Sequence, residues 1–261
     1  MLRSLEQHPI RASGMLGSRT AGDTDGGHMT EGGEFDPEHF FDRFTRFLET
    51  SETGRPGKRR ERFNGRYLAL IHGNRDLIRG ARVLDLASHD GRWSFAALKS
   101  GAASVTGIEH KPGLVTKSHE NMEFYDLPRS SYEFVLGDMF ERLDDLGQFD
   151  VVFCFGVFYH VNDHMLLLSK IARRNPATLI MDTNVSQIAA RVIELDYEAV
   201  GGTKLVGQPS KAALDAMFES FGWTHEYFAW QESGLCGPHN LSDYWSKRRV
   251  TAVVNCRSRE H

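Results

Sequence analysis

From residue 82 onward the apolar positions alternate between two periods. Short runs rich in Val, Leu, Ile and Phe at 82–86, 104–109, 132–136, 149–155 and 178–182 predict strands. Between them apolar residues recur at helical spacing over 93–100, 113–125 and 164–174. Strands joined by helix-length crossovers predict a mostly parallel, doubly wound α/β sheet, covered on both faces. After 182 the pattern changes. Residues 186–200 and 210–221 read as helices, and 223–230 and 249–256 read as late strands. Ahead of the alternation, Phe40, Phe41, Phe44, Phe47 and Leu48 share a helical face over 35–48, with Asp36 and Pro37 at its start. A second helix is predicted over 62–77, through Tyr67, Leu68, Leu70 and Ile71. Residues 1–34 carry Gly, Ser, Thr and Asp with almost no apolar periodicity and are expected to be disordered.

The first strand runs into a loop of small residues, VLDLASHDG over 83–91, and the second ends at Glu109. A ligand can pass close over such a loop, and a carboxylate at the next strand end can accept hydrogen bonds from both hydroxyls of a ribose. A dinucleotide loop needs three glycines so that backbone touches a pyrophosphate. Here Ala87 and His89 replace two of them and Gly91 alone remains, so side chains would crowd a diphosphate. A nucleoside without phosphate, such as S-adenosyl-L-methionine, suits this loop, and Asp85 can act on its ammonium group. The bland alternative is a plain strand-turn-helix with a chance acid downstream.

Composition narrows the function classes. A net charge of −4 provides no overall basic field to recruit nucleic acid. Three cysteines, Cys154, Cys236 and Cys256, show neither metal spacing nor a disulfide framework, which fits a reducing cytoplasm. The longest apolar run, 151–159, is broken by Gly156 and too short to span a membrane, and no secretory apolar core stands near the N-terminus. One basic run, RPGKRRER over 55–62, is either a phosphate clamp or a solvated surface.

The ordered set VLDLASHDG, Glu109, Gly137-Asp138-Met139 and FDVVFCFGVFYHV (149–161) resembles the class I S-adenosylmethionine-dependent methyltransferases, over about residues 80–257. The resemblance implies a Rossmann-like seven-stranded sheet whose last strand is antiparallel, behind a helical N-terminal extension. It implies that Asp85, Ala87 and Gly91 line the methionine part of the cofactor and that Glu109 takes the ribose hydroxyls. Asp138 would accept from the adenine amino group, Met139 would offer its backbone N–H to the ring, and Cys154 and Phe155 would lie beside the sulfonium. The family usually has Gly at the position of Ala87, so Ala87 is expected to keep a negative φ. The chain then divides into 1–34, a helical cap over 35–80, and a cofactor-binding domain over 81–261, with 185–209 as a lid candidate.

Methyl transfer is an in-line displacement that rewards alignment, and a hydroxyl acceptor also needs a base. His160, just after the fourth strand, is the candidate base, and Tyr159 the candidate to shape the acceptor site; packing or helix capping is the structural alternative. His160, Asp163 and His164 are close in sequence, but no third metal ligand has recognisable spacing, so no metal is expected. The segment Gly156 to His160 and the later PSKAAL (209–214) are similar to bacterial tRNA wobble-uridine carboxymethyltransferases and to many methyltransferases of sugars and secondary metabolites. The expectation is a cytoplasmic methyltransferase acting on a hydroxyl or amine of a small polar metabolite, away from membranes, as a monomer or homodimer. A tRNA-modifying transferase and a non-catalytic cofactor-binding partner protein are the alternatives. Glu194, Asp196, Tyr197 and Lys204 would reach an acceptor if the lid folds back, and Trp230, Glu232, His239 and Tyr244 lie between the last two strands.

Overall fold

The computed structural model of the protein describes residues 36–54, 56–197, 205–235 and 241–257. The predicted disorder of 1–34, and Arg55, Lys204, Cys236 and His239, lie outside the described residues.

Asp36 caps a 3-10 turn, Pro37–His39, by accepting from the N–H of Glu38 at 2.9 Å. Two short helices follow, α1 (Phe40–Arg43) and α2 (Arg46–Thr50), where the pattern predicted one. The break at Phe44 bends the segment around Phe95, whose ring lies 6.1, 4.7 and 5.0 Å from those of Phe40, Phe44 and Phe47. Burying three rings on one outweighs the helical bonds lost at the bend. Helix α3 (Arg59–Leu70) starts before the predicted 62, and Gly73 falls in a 3-10 turn before α4 (Arg75–Ile78).

The alternation then unfolds as β1 (Arg82–Leu86), α5 (Arg92–Lys99), β2 (Ser104–Glu109), α6 (Pro112–Phe124), β3 (Tyr132–Leu136), α7 (Met139–Asp145), β4 (Val151–Phe155), α8 (His164–Ala172) and β5 (Thr178–Asn184). Helix α7 was not anticipated; it is short and is started by the side chain of Asp138, which accepts from the N–H of Phe140. Two more strands, β6 (Ile193–Tyr197) and β7 (Leu205–Pro209), precede α9 (Lys211–Ser220), β8 (Thr224–Tyr227), α10 (Ser242–Trp245) and β9 (Arg249–Asn255).

Seven strands form one sheet in the order β3-β2-β1-β4-β5-β9-β8. The first five are mutually parallel, and β9 is antiparallel to both β5 and β8. Every residue of β4 is buried, which is why its sequence is an unbroken apolar run. Alternate residues feed two cores. Val83, Phe153 and Ile180 pack with Phe95 and the N-terminal helices, whereas Leu84, Val152 and Leu179 pack with Leu168 of α8 and Phe218 of α9.

Over 186–197, the described part of the helix predicted for 186–200, there is no helix. Residues 193–197 form β6, paired antiparallel with β7 in the register Ile193↔Pro209 to Tyr197↔Leu205. Ile193, Leu195 and Tyr197 alternate with Glu194 and Asp196, a period of two that outweighs the residues' helical propensity once a partner strand is present. Ser186 bridges Ser210, so this excursion returns to the sheet where it left. No helix among the described residues is long and apolar enough to cross a membrane.

The chain reverses direction of sheet growth between β1 and β4. At such a switch point the loops leaving the C-terminal strand ends diverge and open a crevice.

Candidate active site

The loop after β1 lies at that crevice. Ala87, His89 and Gly91 all have left-handed backbone, with φ of +53°, +56° and +78°. The negative φ expected at Ala87 is therefore corrected: the backbone keeps the shape of a glycine loop although two glycines are missing. Hydrogen bonds impose it. Ser88 N–H donates to the Ile108 carbonyl at 2.9 Å, and His89 N–H to Glu109 Oε2 at 3.0 Å. Left-handed backbone costs a non-glycine residue roughly 1–2 kcal/mol. Ala87→Gly is therefore expected to leave stability unchanged or raise it by up to about 1 kcal/mol, against the usual loss for Ala→Gly. Urea denaturation checks this; a loss of about 1 kcal/mol or more would show that the loop carries no strain at Ala87.

Gly91 has a packing reason as well. A Cβ there would stand 3.0 Å from Phe134 Cζ and 3.1 Å from Met122 Cε. His89 is held by Arg92, whose Nη2 lies 2.6 Å from its Nδ1. Asp90, wholly buried, accepts from Arg92 Nε at 2.6 Å and Thr50 Oγ1 at 3.0 Å. Burial pushes the Asp90 carboxyl up, but the charge of Arg92 and bonds to Arg92 and His89 outweigh it and hold it at about 2.

A cleft of about 800 Å³ opens over this loop. It brings together Ala87, Glu109, Asp138, Met139, Phe155, Tyr159 and His160, which the sequence offers from four separate segments. It does not include Asp85, Gly91 or Cys154. Asp85 is buried beneath the loop and accepts from Ser94 Oγ at 2.7 Å; burial pushes it up to about 7, against that bond. Cys154 faces the core on the side of α8, and burial raises its thiol far above its usual range. Glu109 does double duty. Its Oε1 accepts from Lys111 N–H at 3.0 Å, so the carboxylate ties the β1 and β2 loops together while still facing the cleft.

Tyr159 and His160 belong to a 3-10 turn, Phe158–His160, with their rings 4.1 Å apart. The guanidinium of Arg249 lies 5.6 Å from the Tyr159 ring centre. His164 is a core residue: its Nε2 is 3.1 Å from the Phe158 carbonyl and 3.0 Å from that of Gly207. No group of three or more His, Cys, Asp or Glu that could hold a metal occurs among the described residues.

Of the opposite wall, the sequence singled out Arg62 alone, within the basic run. That wall is cationic, and carries Arg62, Arg66 and Arg249. Arg62 clamps Asp243 with two bonds of 2.8 and 2.7 Å. Arg66 and Arg249 share the wholly buried Asp182 at the end of β5. These residues come from α3, β5, α10 and β9. A further local hint was Asp182, an acid closing an apolar strand at the edge where ligands bind.

A nucleoside with a sulfonium and an amino-acid tail fits the wall. Ile108, Leu114, Met139 and Val157 offer an apolar slot for a flat base, flanked by Glu109 and Asp138 as acceptors. The Ala87 and His89 side chains stand where a pyrophosphate would need bare backbone.

Comparison with known proteins agrees. Residues 83–174 match the model of the family described as methyltransferase domain. A tRNA U34 carboxymethyltransferase of Pseudomonas aeruginosa is 28% identical over 151 residues, which are 56% of this chain and 46% of that protein. The chain thus spans about half the length of that curated relative. Among solved structures, the N-terminal domain of EvdMO1, crystallised in the presence of S-adenosylhomocysteine and D-fucose, superposes with a TM-score of 0.55 at 20% identity, covering 86% of this chain and 98% of that one. An S-adenosylmethionine-dependent methyltransferase from Mesorhizobium loti gives 0.52 at 15% identity, covering 73% and 97%. The fold and the nucleoside cleft define a Rossmann-like methyltransferase domain. Residues 83–174 thus match a methyltransferase domain, the chain is similar in fold to S-adenosylmethionine-dependent methyltransferases, and the cleft suits S-adenosyl-L-methionine.

Proposed function

We propose that the protein transfers a methyl group to a hydroxyl or amine of a small polar metabolite. The observation that carries this reading is the fate of the basic run. Arg59 Nη1 donates to the Leu48 carbonyl at 3.0 Å, Arg60 pairs with Asp42 at 2.6 Å, and Arg62 with Asp243. Arg59 and Arg60 tie α2 and α1 to α3, and Arg62 ties α10 to α3 at the cleft. Among the described residues, Arg59, Arg60 and Arg62 are each tied to a partner in the chain itself, which favours a structural use of these cations over a nucleic-acid contact.

Bound S-adenosylmethionine supplies a methyl carbon already activated by the sulfonium. Glu109 and Asp138 would hold its ribose and adenine, and Met139 its ring by a backbone N–H. Asp85 would act on the amino-acid tail through the loop above it. Phe155, Gly156 and Val157 would shape the passage toward the acceptor. His160, which lines the cleft, would take the proton of a hydroxyl acceptor as the new bond forms, with Tyr159 positioning the acceptor. A second reading, a tRNA acceptor, rests on the name of the curated relative.

Incubation with S-adenosylmethionine labelled at the methyl group, against a small-molecule extract and against total tRNA in parallel, tests both. Label in the extract fraction, lost in His160→Ala, is expected. Label in tRNA alone would replace this reading by the second.

A further inference from the structure

Asp182 is saturated. Its Oδ1 accepts from Arg66 Nη2 at 3.0 Å and from Arg249 Nε at 2.6 Å, and its Oδ2 from Tyr244 O–H at 2.7 Å and Thr251 Oγ1 at 2.9 Å. One carboxylate thus faces two guanidiniums, and both line the cleft. Arg62 is neutralised by Asp243 and adds nothing to balance the excess. Arg66 is nine-tenths buried, and its Nε has no hydrogen-bond partner among the described residues; the Trp93 face lies 4.9 Å from the guanidinium carbon. A net positive charge out of water is costly unless an anion meets it, and the residual pull of a Trp face falls short of one.

The place of this charge matters. A second chamber of about 620 Å³ adjoins the cleft and shares Arg62, Tyr159, Asp243 and Arg249 with it. Arg248 also lines it, and its one acidic lining residue besides Asp243 is Glu194 on the exposed strand β6. The acids Glu109 and Asp138 stand in the other part, where the nucleoside fits.

We propose that the acceptor carries a compact oxyanion, a carboxylate or a phosphate monoester, bound by the Arg66–Arg249 pair so that its hydroxyl or amine meets Tyr159 and His160. This rests on the methyl-transfer reading above and deepens it. Guanidiniums grip such groups with paired, charge-assisted bonds, which fixes orientation as well as position. Asp182 holds the two cations in place and prevents them from repelling one another.

The full chain is tested with methyl-labelled S-adenosylmethionine on a small-molecule extract split by anion exchange into a neutral and an anionic fraction. Label is expected in the anionic fraction. Phosphatase treatment of that fraction beforehand removes the acceptor if it is a phosphate monoester and leaves it if it is a carboxylate. Arg66→Gln should lower transfer at limiting acceptor by about tenfold or more, as loss of charged hydrogen bonds predicts, while S-adenosylhomocysteine affinity by calorimetry stays within about twofold. Arg66→Lys should restore part of it. Label confined to the neutral fraction, or full transfer by Arg66→Gln, overturns the oxyanion while methyl transfer stands. No label in either fraction, from protein that binds S-adenosylhomocysteine, overturns both. The fractionation needs only the unaltered protein, so it decides even if the variants fail to fold.

Discussion

Asp182→Ala is expected to lower stability by about 3–5 kcal/mol, the usual cost of removing one partner from a buried ion cluster. The loss is large because the two guanidiniums it neutralises, Arg66 and Arg249, stay buried, and because Tyr244 and Thr251 lose their acceptor at the same time. Asp182→Asn keeps the volume and one acceptor and should cost less. The same residue gives a pH dependence. Burial pushes the Asp182 carboxyl up, but the charges of Arg249 and Arg66 and the bonds from Arg249 and Tyr244 bring it down to about 2. Its folded pKa lies below the unfolded one, near 3.8, so its contribution is complete above that value and is lost as pH falls toward 2. Urea denaturation at neutral pH and at pH 3 measures both effects. A loss below about 1 kcal/mol for Asp182→Ala would show that solvent reaches the cluster, and that its cations need no buried counter-ion.

Glu109→Ala is expected to weaken S-adenosylhomocysteine binding by roughly 1–3 kcal/mol through lost charged hydrogen bonds. Two routes lead there. The ribose hydroxyls lose their acceptor, and the N–H groups of His89 and Lys111 lose the carboxylate that fixes the loop. Calorimetry reads the affinity, and Glu109→Gln separates the routes, since it keeps one acceptor oxygen for the loop but presents an amide to the sugar. Unchanged affinity in Glu109→Ala would remove the ribose from this wall.

The sheet was legible because its signal is local. The pattern over 82–86, 104–109 and 132–136 matches β1, β2 and β3 residue for residue, since the largely buried β1 and β2 read as short apolar runs and the edge strand β3 alternates buried with exposed positions. Two elements were misjudged for the converse reason. The 35–48 segment breaks at Phe44 because of a ring, Phe95, that no local window contains. Residues 193–197 become a strand because Leu205–Pro209 pairs with them. Ala87, Glu109, Asp138, Met139, Phe155, Tyr159 and His160 line one cleft because each stands at or just after a strand end, and the topology brings those ends together. Asp85, Gly91 and Cys154, chosen by the same rule, do not line the cleft. Strand and loop positions alternate in direction, and sequence order alone does not say which side faces the ligand.

By itself, then, the chain determined a doubly wound sheet and a nucleoside loop without room for a diphosphate, because period and side-chain size act over a few neighbouring residues. The left-handed backbone at Ala87 and the cationic wall were decided by the tertiary structure alone. The first depends on bonds to Ile108 and Glu109 across the sheet. The second joins Arg66 to Asp182 over 116 positions and Asp182 to Arg249 over 67, and Coulomb attraction at those separations exists only once the chain has folded.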